Sequence, residues 1–541
     1  MTSPSPAPAP RNRPPLRPSS FVLAAVGAAV ILAPAIALLS GLAVPSGAPP
    51  LYPHGDHAVL EIYTRLAASG DQRLGPYSRF HFHHPGPALF YFSLPVYELA
   101  GESHEGLKLA ALLLNALSVT GLLWAARGLG GLAAYLATAL GLAPFVAWWW
   151  PAGFFSNWNP TIAVLPFGLG LLAWGAVAAG RPAFLPVAVL ASSFAVQAHV
   201  GCTPVTAAVA ATALAVATIP SLSRALRVPL PAPGAWLRPV VIAAVVLAAL
   251  WILPLAEQLD PEGGNLGRIL EVARQRPHRH PSLPEAAQAL AENAAAFLMG
   301  PAGSPETSRW LFPLLVVALV ASLSLAWRAR SAAGVALPLV TLVGMAAAVY
   351  STTRIPGWAQ PYLVGWMSML GLAAFVGSAV GLGASPLLQR PAVARLSAAA
   401  ALGITLALSA LGLRDVRAQL RQPPDPLGPL SEWIRHLAES AAPALRASGG
   451  RRTLVEVERF VPRAVAVGLI LGLDKAGVSM AVSPFGPFRF EGRLAPDGTE
   501  DATLRVGAES SGWTDQKGAR MLVSEGGVFL YLLPRRPTDP P

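Results

Sequence analysis

The segment from His54 to Phe92, HGDHAVLEIYTRLAASGDQRLGPYSRFHFHHPGPALFYF, follows the first long apolar stretch of the chain and concentrates charged, histidine and aromatic residues. The rest of the 541-residue chain avoids charge, since 53% of all residues are hydrophobic and only 12% are charged. Soluble globular proteins carry roughly 25% charged residues. The composition therefore predicts a polytopic membrane protein, with this segment as a polar loop beside the membrane.

Eleven apolar runs are long enough to span a bilayer, which takes roughly 17–25 helical residues. The first, Phe21 to Val44, is too long for a typical signal-peptide core, so we interpret it as a retained helix. Residues 1–20 before it are rich in Pro, Ser and Arg and are predicted to be a disordered cytoplasmic N-terminus. The other predicted spans are 106–126, 129–149, 159–179, 183–200, 203–220, 239–257, 310–327, 334–351, 361–383 and 393–413.

The placement of charge predicts the orientation of these helices. With eleven spans, the arginines of the short loops fall on one side, which the positive-inside rule makes cytoplasmic. All thirteen acidic residues before position 414 lie within 56–105 and 257–306, on the opposite side. We therefore expect an inside N-terminus and two large external loops, 45–105 and 258–309. The Ala-, Pro-, Arg- and Gly-rich composition suggests a bacterial source, and hence the inner membrane.

Two further segments complete the predicted architecture. Residues 85–101 are apolar but short and contain three prolines, so we expect a helix in the outer interface instead of a span. Residues 414–541 contain four strand-like runs bounded by Gly, Pro and Asp, and an amphipathic helix beginning near Ser431. The fold class is therefore a transmembrane domain over 21–413, with about 11 helices, followed by a small extracytoplasmic α/β domain.

Composition also excludes several classes of function. The net charge of +11 does not indicate nucleic-acid binding, because the arginines are scattered instead of forming one face. The single cysteine, Cys202, excludes an internal disulfide and a cysteine-rich metal site.

Asp56 begins a run in which apolar residues recur at helical spacing, which indicates an amphipathic helix along the membrane surface. Asp56 could cap this helix by accepting backbone N–H bonds. It could instead be a general base that takes a proton from an acceptor hydroxyl. Glu61 lies four residues before Arg65 and can pair with it; Glu61 is also a candidate substrate-binding residue.

The histidines of the loop allow two interpretations. His81 and His83 would share a face of an extended segment and could form a three-ligand metal set with Asp56. No HExxH or comparable signature accompanies them, and hydrogen bonds to loops and headgroups explain them equally simply. We therefore assign no cofactor and no metal ligands, leave a divalent metal open, and keep His81 and His84 as candidate substrate-binding residues.

Polar residues at other predicted external positions are further candidates. Asn157 and Asn159 stand in an aromatic segment that is typical of a membrane interface, and their amides could bind a sugar. His199 ends the fifth span, where a polar group usually faces a cavity or a partner. Arg354 and Gln360 lie on a short external loop.

Arginines are the expected contacts of an anionic group near the membrane surface, because guanidinium matches phosphate in a bidentate manner. Arg354, isolated among aromatic residues, is the best candidate, and Arg79 is the next. The arginines of the second loop could either bind a phosphate or form a solvated or headgroup-binding face; they are Arg268, Arg274, Arg276 and Arg279.

The order of these features resembles the GT-C superfamily of integral-membrane glycosyltransferases, especially the protein-mannosyltransferase and aminoarabinose-transferase-like branch. The matching residues are Gly55-Asp56, His84-Pro85-Gly86-Pro87, Phe90-Tyr91 and Gly101. The stretches 78–92, 155–167 and 192–201 are also similar to a group of bacterial membrane proteins with this architecture. The resemblance covers roughly residues 20–415.

The resemblance implies transfer of a sugar from a polyprenyl-phosphate donor to a glycan, lipid or protein acceptor of the envelope, on the outer side of the membrane and in contact with its lipids. It implies that Asp56 deprotonates the acceptor and that basic residues neutralise the leaving phosphate. Many members have a second acid where this chain has His57. A non-catalytic scaffold for envelope polysaccharide assembly therefore remains an alternative, followed by a lipid or sugar transporter.

Overall fold

The computed structural model describes residues 18–41, 52–148, 151–261, 264–275, 279–299, 305–419, 428–447, 452–508 and 519–534. Residues 1–20 were predicted to be disordered. Residues 1–17 lie outside the described residues, and the first helix begins at Pro18. The helices are α1 (Pro18–Gly41), α2 (Gly55–Ala68), α3 (Ala88–Leu99), α4 (His104–Trp148), α5 (Asn159–Ile162), α6 (Val164–Ala178), α7 (Leu185–Ala198), α8 (Thr203–Thr218), α9 (Pro220–Leu226), α10 (Leu237–Leu259), α11 (Asn265–Arg274), α12 (Leu283–Met299), α13 (Pro305–Arg328), α14 (Ala332–Thr353), α15 (Pro361–Val364), α16 (Ser368–Leu382), α17 (Pro391–Gln419), α18 (Gly428–Ala447) and α19 (Arg463–Lys475).

Nine helical segments of the described chain are long and apolar enough to cross a membrane. They are Ser19–Ala37, His104–Ala147, Asn159–Ala178, Val200–Thr218, Pro233–Leu259, Glu306–Arg328, Ala332–Thr353, Pro361–Leu382 and Pro391–Arg414. Pro182–Ala198, where the fifth span was expected, is a shorter apolar helix. The polytopic helical architecture is confirmed, and the number of crossings stays a prediction.

The long helix α4 corresponds to two of the predicted spans. Gly131, with φ 73° and ψ −148°, interrupts it, a conformation that glycine adopts without a steric penalty. The side chains of Leu123 and Tyr135 both lie beside Gly27 of α1. In a straight helix these two residues would be about 18 Å apart along the axis. The chain therefore turns back at Gly131, which agrees with the expected spans 106–126 and 129–149.

The second predicted loop, 258–309, is not separate from the helix bundle. Its helix α12 packs against α4, α13, α14 and α16, and Phe297 is fully buried beside Phe375, with ring centroids 5.8 Å apart. Gly371 permits this close approach, because a Cβ atom there would stand 1.8 Å from the carbonyl oxygen of Ala294. The loop thus forms part of the wall of the transmembrane domain.

The C-terminal residues form the small sheet domain expected from the strand-like runs. The strands are β1 (Thr453–Val457), β2 (Met480–Val482), β3 (Ala502–Ala508), β4 (Arg520–Glu525) and β5 (Val528–Pro534), in the spatial order β2-β1-β3-β5-β4. β1 pairs in parallel with β2 and β3, whereas β5 pairs antiparallel with β3 and β4. The strand β4 had no counterpart among the predicted runs, and α17 continues to Gln419, past the expected boundary at 413.

The first loop and the C-terminal domain share one hydrophobic core. The apolar face of α2, including Val59 and Ile62, is buried together with Ile434 of α18 and Ile470 of α19. The expected amphipathic helix is therefore present, but its apolar face contacts protein. Burial of this face fixes α2, and with it Asp56, between the C-terminal domain and α3.

Candidate active site

A short hairpin over residues 75–84 forms one side of the candidate site. The Gly75 amide donates to the carbonyl of His84 over 3.2 Å, and the Ser78 amide donates to the carbonyl of Phe82 over 2.8 Å. His81 lies at the tip with φ 63° and is exposed, whereas His83 is buried inside. The hairpin turns Tyr77 toward the start of α2.

The carboxylate of Asp56 faces a cavity and does not cap its helix. The N-cap position of α2 is His54, and Asp56 is the second helical residue. One oxygen of Asp56 accepts from the hydroxyl of Tyr77, and the other accepts from the indole Nε1–H of Trp158 over 2.7 Å. These two donors come from different parts of the chain and fix the orientation of the carboxylate.

Tyr77 remains a hydrogen-bond donor under all ordinary conditions. Burial, together with the negative charge of Asp56, raises the pKa of the Tyr77 phenol far above its usual value. The ring of Tyr77 packs against Phe488 of the C-terminal domain, with centroids 4.7 Å apart. The C-terminal domain therefore supports a direct partner of Asp56.

A cavity of about 650 Å³ opens in front of Asp56. One side carries polar and aromatic groups, including Tyr77, Trp158 and Tyr362. Another part of the lining is apolar and comes largely from α11, whose Leu266, Ile269, Leu270, Val272 and Ala273 contribute to it. The cavity therefore combines a carboxylate with a hydrophobic surface.

Both arginines singled out in the sequence line this cavity. Arg354 donates to the carbonyl oxygen of Ala273, which joins α14 to α11. Arg79, at the hairpin tip, is exposed and donates to the hydroxyl of Tyr362 over 3.1 Å. Tyr362 in turn packs against Trp158, with ring centroids 5.3 Å apart. The lining therefore carries two guanidinium groups, each held by a hydrogen bond to a different part of the chain.

His84 and His199 form a stacked pair in the cavity wall, with centroids 5.3 Å apart. Nδ1 of His84 accepts from the amide of Val200 over 3.0 Å, and Nδ1 of His199 accepts from the amide of Gly201 over 3.2 Å. Burial lowers the pKa of the His84 ring. Because each Nδ1 accepts from a backbone amide, the proton of each neutral ring lies on Nε2.

Asn159 also lines the cavity, and its amide donates to the carbonyl of Ala198 over 3.1 Å. Four other candidates do not line it, namely Glu61, His81, Asn157 and Gln360. Oδ1 of Asn157 accepts from Nδ1–H of the partly buried His57 over 2.9 Å, and Gln360 is the N-cap residue of α15. His81 is at the hairpin tip.

Glu61 is fully buried away from the cavity. It accepts from the hydroxyl of Tyr97 over 3.0 Å and from Nδ1 of His104 over 3.2 Å, and it forms an ion pair with Lys475. The expected partner, Arg65, pairs instead with Glu102 and Asp474. Burial alone would raise the pKa of Glu61, but the His104 hydrogen bond and the Lys475 charge outweigh it and lower that pKa. Glu61 therefore ties α2 to α4 and α19.

The arginines of the second loop that the structure describes, Arg268, Arg274 and Arg279, do not line the cavity. Arg279 stacks on Trp358, Arg268 and Arg274 belong to α11, and Arg276 lies outside the described residues. The loop contributes the apolar face of α11 instead, a face whose spacing in NLGRILEVAR was present in the sequence. Tyr77 and Trp158 are further site residues that the sequence did not single out as partners of Asp56.

The proposed histidine-containing metal set is not assembled. His83 is buried and uses Nδ1 in a 2.9 Å hydrogen bond with the carbonyl of Gly75. Within the described ranges, no group of three or more His, Cys, Asp or Glu side chains could hold a metal ion.

The fold of this chain, a helical bundle with a small C-terminal sheet domain, has counterparts among solved structures. The chain is similar to the crystal structure of ArnT from Cupriavidus metallidurans bound to undecaprenyl phosphate, with a TM-score of 0.56 and 16% sequence identity over 95% of this chain and 98% of ArnT. The apo structure of ArnT gives a TM-score of 0.54 at the same identity and coverage. No protein-family model and no curated protein matches the sequence.

Proposed function

We propose that this protein is a membrane glycosyltransferase that moves a sugar from a polyprenyl-phosphate donor to an acceptor hydroxyl of the cell envelope. The observation that carries the proposal is the cavity of about 650 Å³ that joins Asp56, two arginines and an apolar wall. A transferase of this kind needs a base for the acceptor, positive charge for the leaving phosphate and an apolar surface for the isoprenoid. The shared fold with ArnT, solved with undecaprenyl phosphate, supports this assignment.

In the proposed reaction, the acceptor hydroxyl attacks the anomeric carbon of the donor sugar. The bond from that carbon to the phosphate oxygen breaks, and the polyprenyl phosphate leaves with the bonding electrons. Asp56 takes the proton of the hydroxyl. A general base must lie within hydrogen-bond reach of that proton, and the Tyr77 and Trp158 hydrogen bonds hold the Asp56 carboxylate in one orientation at the cavity wall.

The cavity arginines have the complementary role in this proposal. Negative charge grows on the leaving phosphate during bond cleavage, and preorganised cations stabilise it more strongly in a site with little water. Arg354 and Arg79 are the cationic side chains of the cavity lining. The apolar face of α11, beside Arg354, would accommodate the first isoprene units of the donor.

Two alternatives are less well supported. A non-catalytic scaffold would use Asp56 as a helix cap, with no cavity in front of it, whereas the N-cap residue is His54 and Asp56 lines the cavity. A transporter would carry polar groups along a path through the membrane. The polar cavity residues are instead grouped at α2, the 75–84 hairpin and the ends of other helices, among them α5, α8 and α14.

The proposal is tested by measuring sugar transfer from radiolabelled polyprenyl-phosphate donors in membranes that contain wild type or Asp56→Asn. The neutral amide keeps the size of the side chain and removes the base, so transfer should fall by about 10²- to 10⁴-fold. Glu98→Gln is the matched control, because Glu98 is exposed on the nearby helix α3 and does not line the cavity; its rate should equal that of wild type.

Undiminished transfer by Asp56→Asn, with the protein folded and inserted, would remove Asp56 as the base. If wild type transfers no sugar from any polyprenyl-phosphate donor, the scaffold becomes the better assignment.

A further inference from the structure

The described lining of the cavity carries two positive side chains, Arg79 and Arg354, and one negative side chain, Asp56. Among the described lining residues, Asp56 is the only one with a carboxylate. Both of its oxygens already accept hydrogen bonds, from Tyr77 and Trp158. In the proposed reaction, the lone pairs of Asp56 that remain take the proton of the acceptor hydroxyl. No second carboxylate of the described lining is therefore left to bind a positive group on a sugar.

The histidine pair adds donors and no acceptors. Each Nδ1 already accepts from a backbone amide, so the neutral ring offers only its Nε2–H. Nε2 of His199 is buried and has no hydrogen-bond partner among the described residues. A buried polar group without a partner is costly. The missing partner must be an acceptor, such as an oxygen of a bound sugar or phosphate.

The aromatic residues do not replace the missing carboxylate. An ammonium group can bind to the face of a tryptophan or tyrosine, and Trp158 and Tyr362 form an aromatic pair at the cavity. However, Arg79 donates to the hydroxyl of that same Tyr362. A second cation at this pair would be repelled by the guanidinium.

We infer that the donor sugar of this site carries hydroxyl groups and no amino group. The inference rests on the proposed function and specifies its substrate class. An ammonium has three donors and no acceptor, so it would face Arg79, Arg354 and two imidazole N–H groups with no free carboxylate. A hydroxyl in the same place can accept from those groups.

The test uses three undecaprenyl-phosphate pentosides that differ at one ring carbon, which carries a hydroxyl, a free amine or a formylated amine. The purified full chain in lipid nanodiscs is assayed for transfer, and binding of each donor is measured separately. We expect the hydroxyl donor to exceed the free-amine donor roughly 10- to 100-fold in kcat/KM and in affinity. The formylated donor should recover most of this difference, because it is uncharged although larger.

The outcomes separate the two proposals. Equal or better use of the free-amine donor would overturn the inference and leave the glycosyltransferase assignment intact. Rejection of both nitrogen-containing donors to the same degree would mean that size, and not charge, decides, and would overturn it as well. Without transfer from any donor, the proposed function fails, while the binding order still decides whether the cavity rejects an ammonium.

Arg79→Gln provides a second test of whether positive charge in the cavity rejects the free-amine donor. Removal of this charge should reduce the preference for the hydroxyl donor over the free-amine donor by about threefold or more, even if overall transfer also falls. An unchanged preference would show that Arg79 takes no part in rejecting the amine.

Discussion

At the scale of single residues, His199 shows how backbone geometry decides what a side chain can offer. Its Nδ1 accepts from the amide of Gly201 within its own turn, which leaves Nε2–H at the cavity wall. Under the proposed function, His199 positions an oxygen of the donor by a single hydrogen bond.

We therefore expect His199→Asn and His199→Gln to differ. An Asn amide can reach the position of Nδ1 and accept from Gly201, but it loses the outer donor, so kcat/KM should fall about 10-fold. A Gln amide reaches the position of Nε2 and should keep transfer within about threefold of wild type. The measurement is donor-dependent transfer by both variants at equal thermal stability. Equal losses in the two variants would mean that His199 only stabilises the backbone turn at Gly201 and does not bind the donor.

The cavity residues were partly predictable because their chemistry is local. Asp56, His84 and His199 stood out as isolated polar residues in apolar surroundings, and each lines the cavity. Glu61 looked like a site residue for the same reason, yet its partners His104 and Lys475 lie 43 and 414 positions further along the chain. The roles of Tyr77 and Trp158 also depend on contacts between distant segments, which spacing cannot reveal.

At the scale of elements, the contact between α2 and α19 depends on charges buried in a small space. Glu61 of α2 pairs with Lys475, and Arg65 of α2 pairs with Asp474 over 2.5 Å. Asp474 also accepts from Arg493 over 2.9 Å. Burial would raise the pKa of Asp474, but the Arg493 and Arg65 hydrogen bonds outweigh it and lower that pKa. Both carboxylates are therefore charged in the folded protein.

Lys475→Met should lower the free energy of unfolding by about 1–2 kcal/mol at pH 7, because it leaves the buried Glu61 without the ammonium group of its ion pair. Lys108→Met is the matched control, since its partner Glu105 is half exposed and such pairs contribute about 0–1 kcal/mol. The measurement is denaturant unfolding of the full chain in detergent, monitored in the C-terminal domain. A loss no larger than that of the control would contradict a role in docking.

The free energy of unfolding that the Glu61–Lys475 ion pair contributes should depend on pH in a definite direction. The pKa of Glu61 is lowered from the ordinary value of 4.5, so the stabilisation is complete above that pH and disappears as the pH falls through the lower, folded pKa. The difference between wild type and Lys475→Met should therefore be constant from pH 6 to 8 and shrink below pH 4.5. A difference that grows at acidic pH would contradict the assignment.

Individual elements were predictable to different degrees. The apolar spacing at Val59, Ile62 and Leu66 was sufficient to predict α2, because it fixes which face is buried. What covers this face was not predictable, since Ile434 and Ile470 lie far along the chain. The strand β4 was missed because RMLVSE alternates weakly and depends on β5 for its pairing.

At the scale of the whole molecule, the apolar runs and the arginine loops predict a definite sidedness. The first loop and the C-terminal domain share one core, so both must lie on the same side of the membrane. This requirement agrees with the expected outside location of both, and it demands an even number of crossings between them, as the ten predicted spans after the first loop provide. The direction itself depends on the positive-inside rule.

Sidedness can be measured by labelling introduced cysteines, because the single native Cys202 is fully buried. We expect Asp501→Cys, at an exposed position of the C-terminal domain, to react with a membrane-impermeant maleimide in intact spheroplasts. Ala232→Cys, in the exposed turn between α9 and α10, should react only after permeabilisation. The reverse pattern would invert the predicted orientation.

The shared core also has a consequence for biogenesis. Asp56 is synthesised early, but the residues that fix its helix, Asp474 and Lys475, emerge from the ribosome more than 400 residues later. At about 5–20 residues per second, synthesis of that interval takes on the order of half a minute. The nascent chain can insert its helices during this time, but its site stays unfinished. Under the proposed function, a partly translated or truncated protein would therefore occupy the membrane without acting on polyprenyl-phosphate donors.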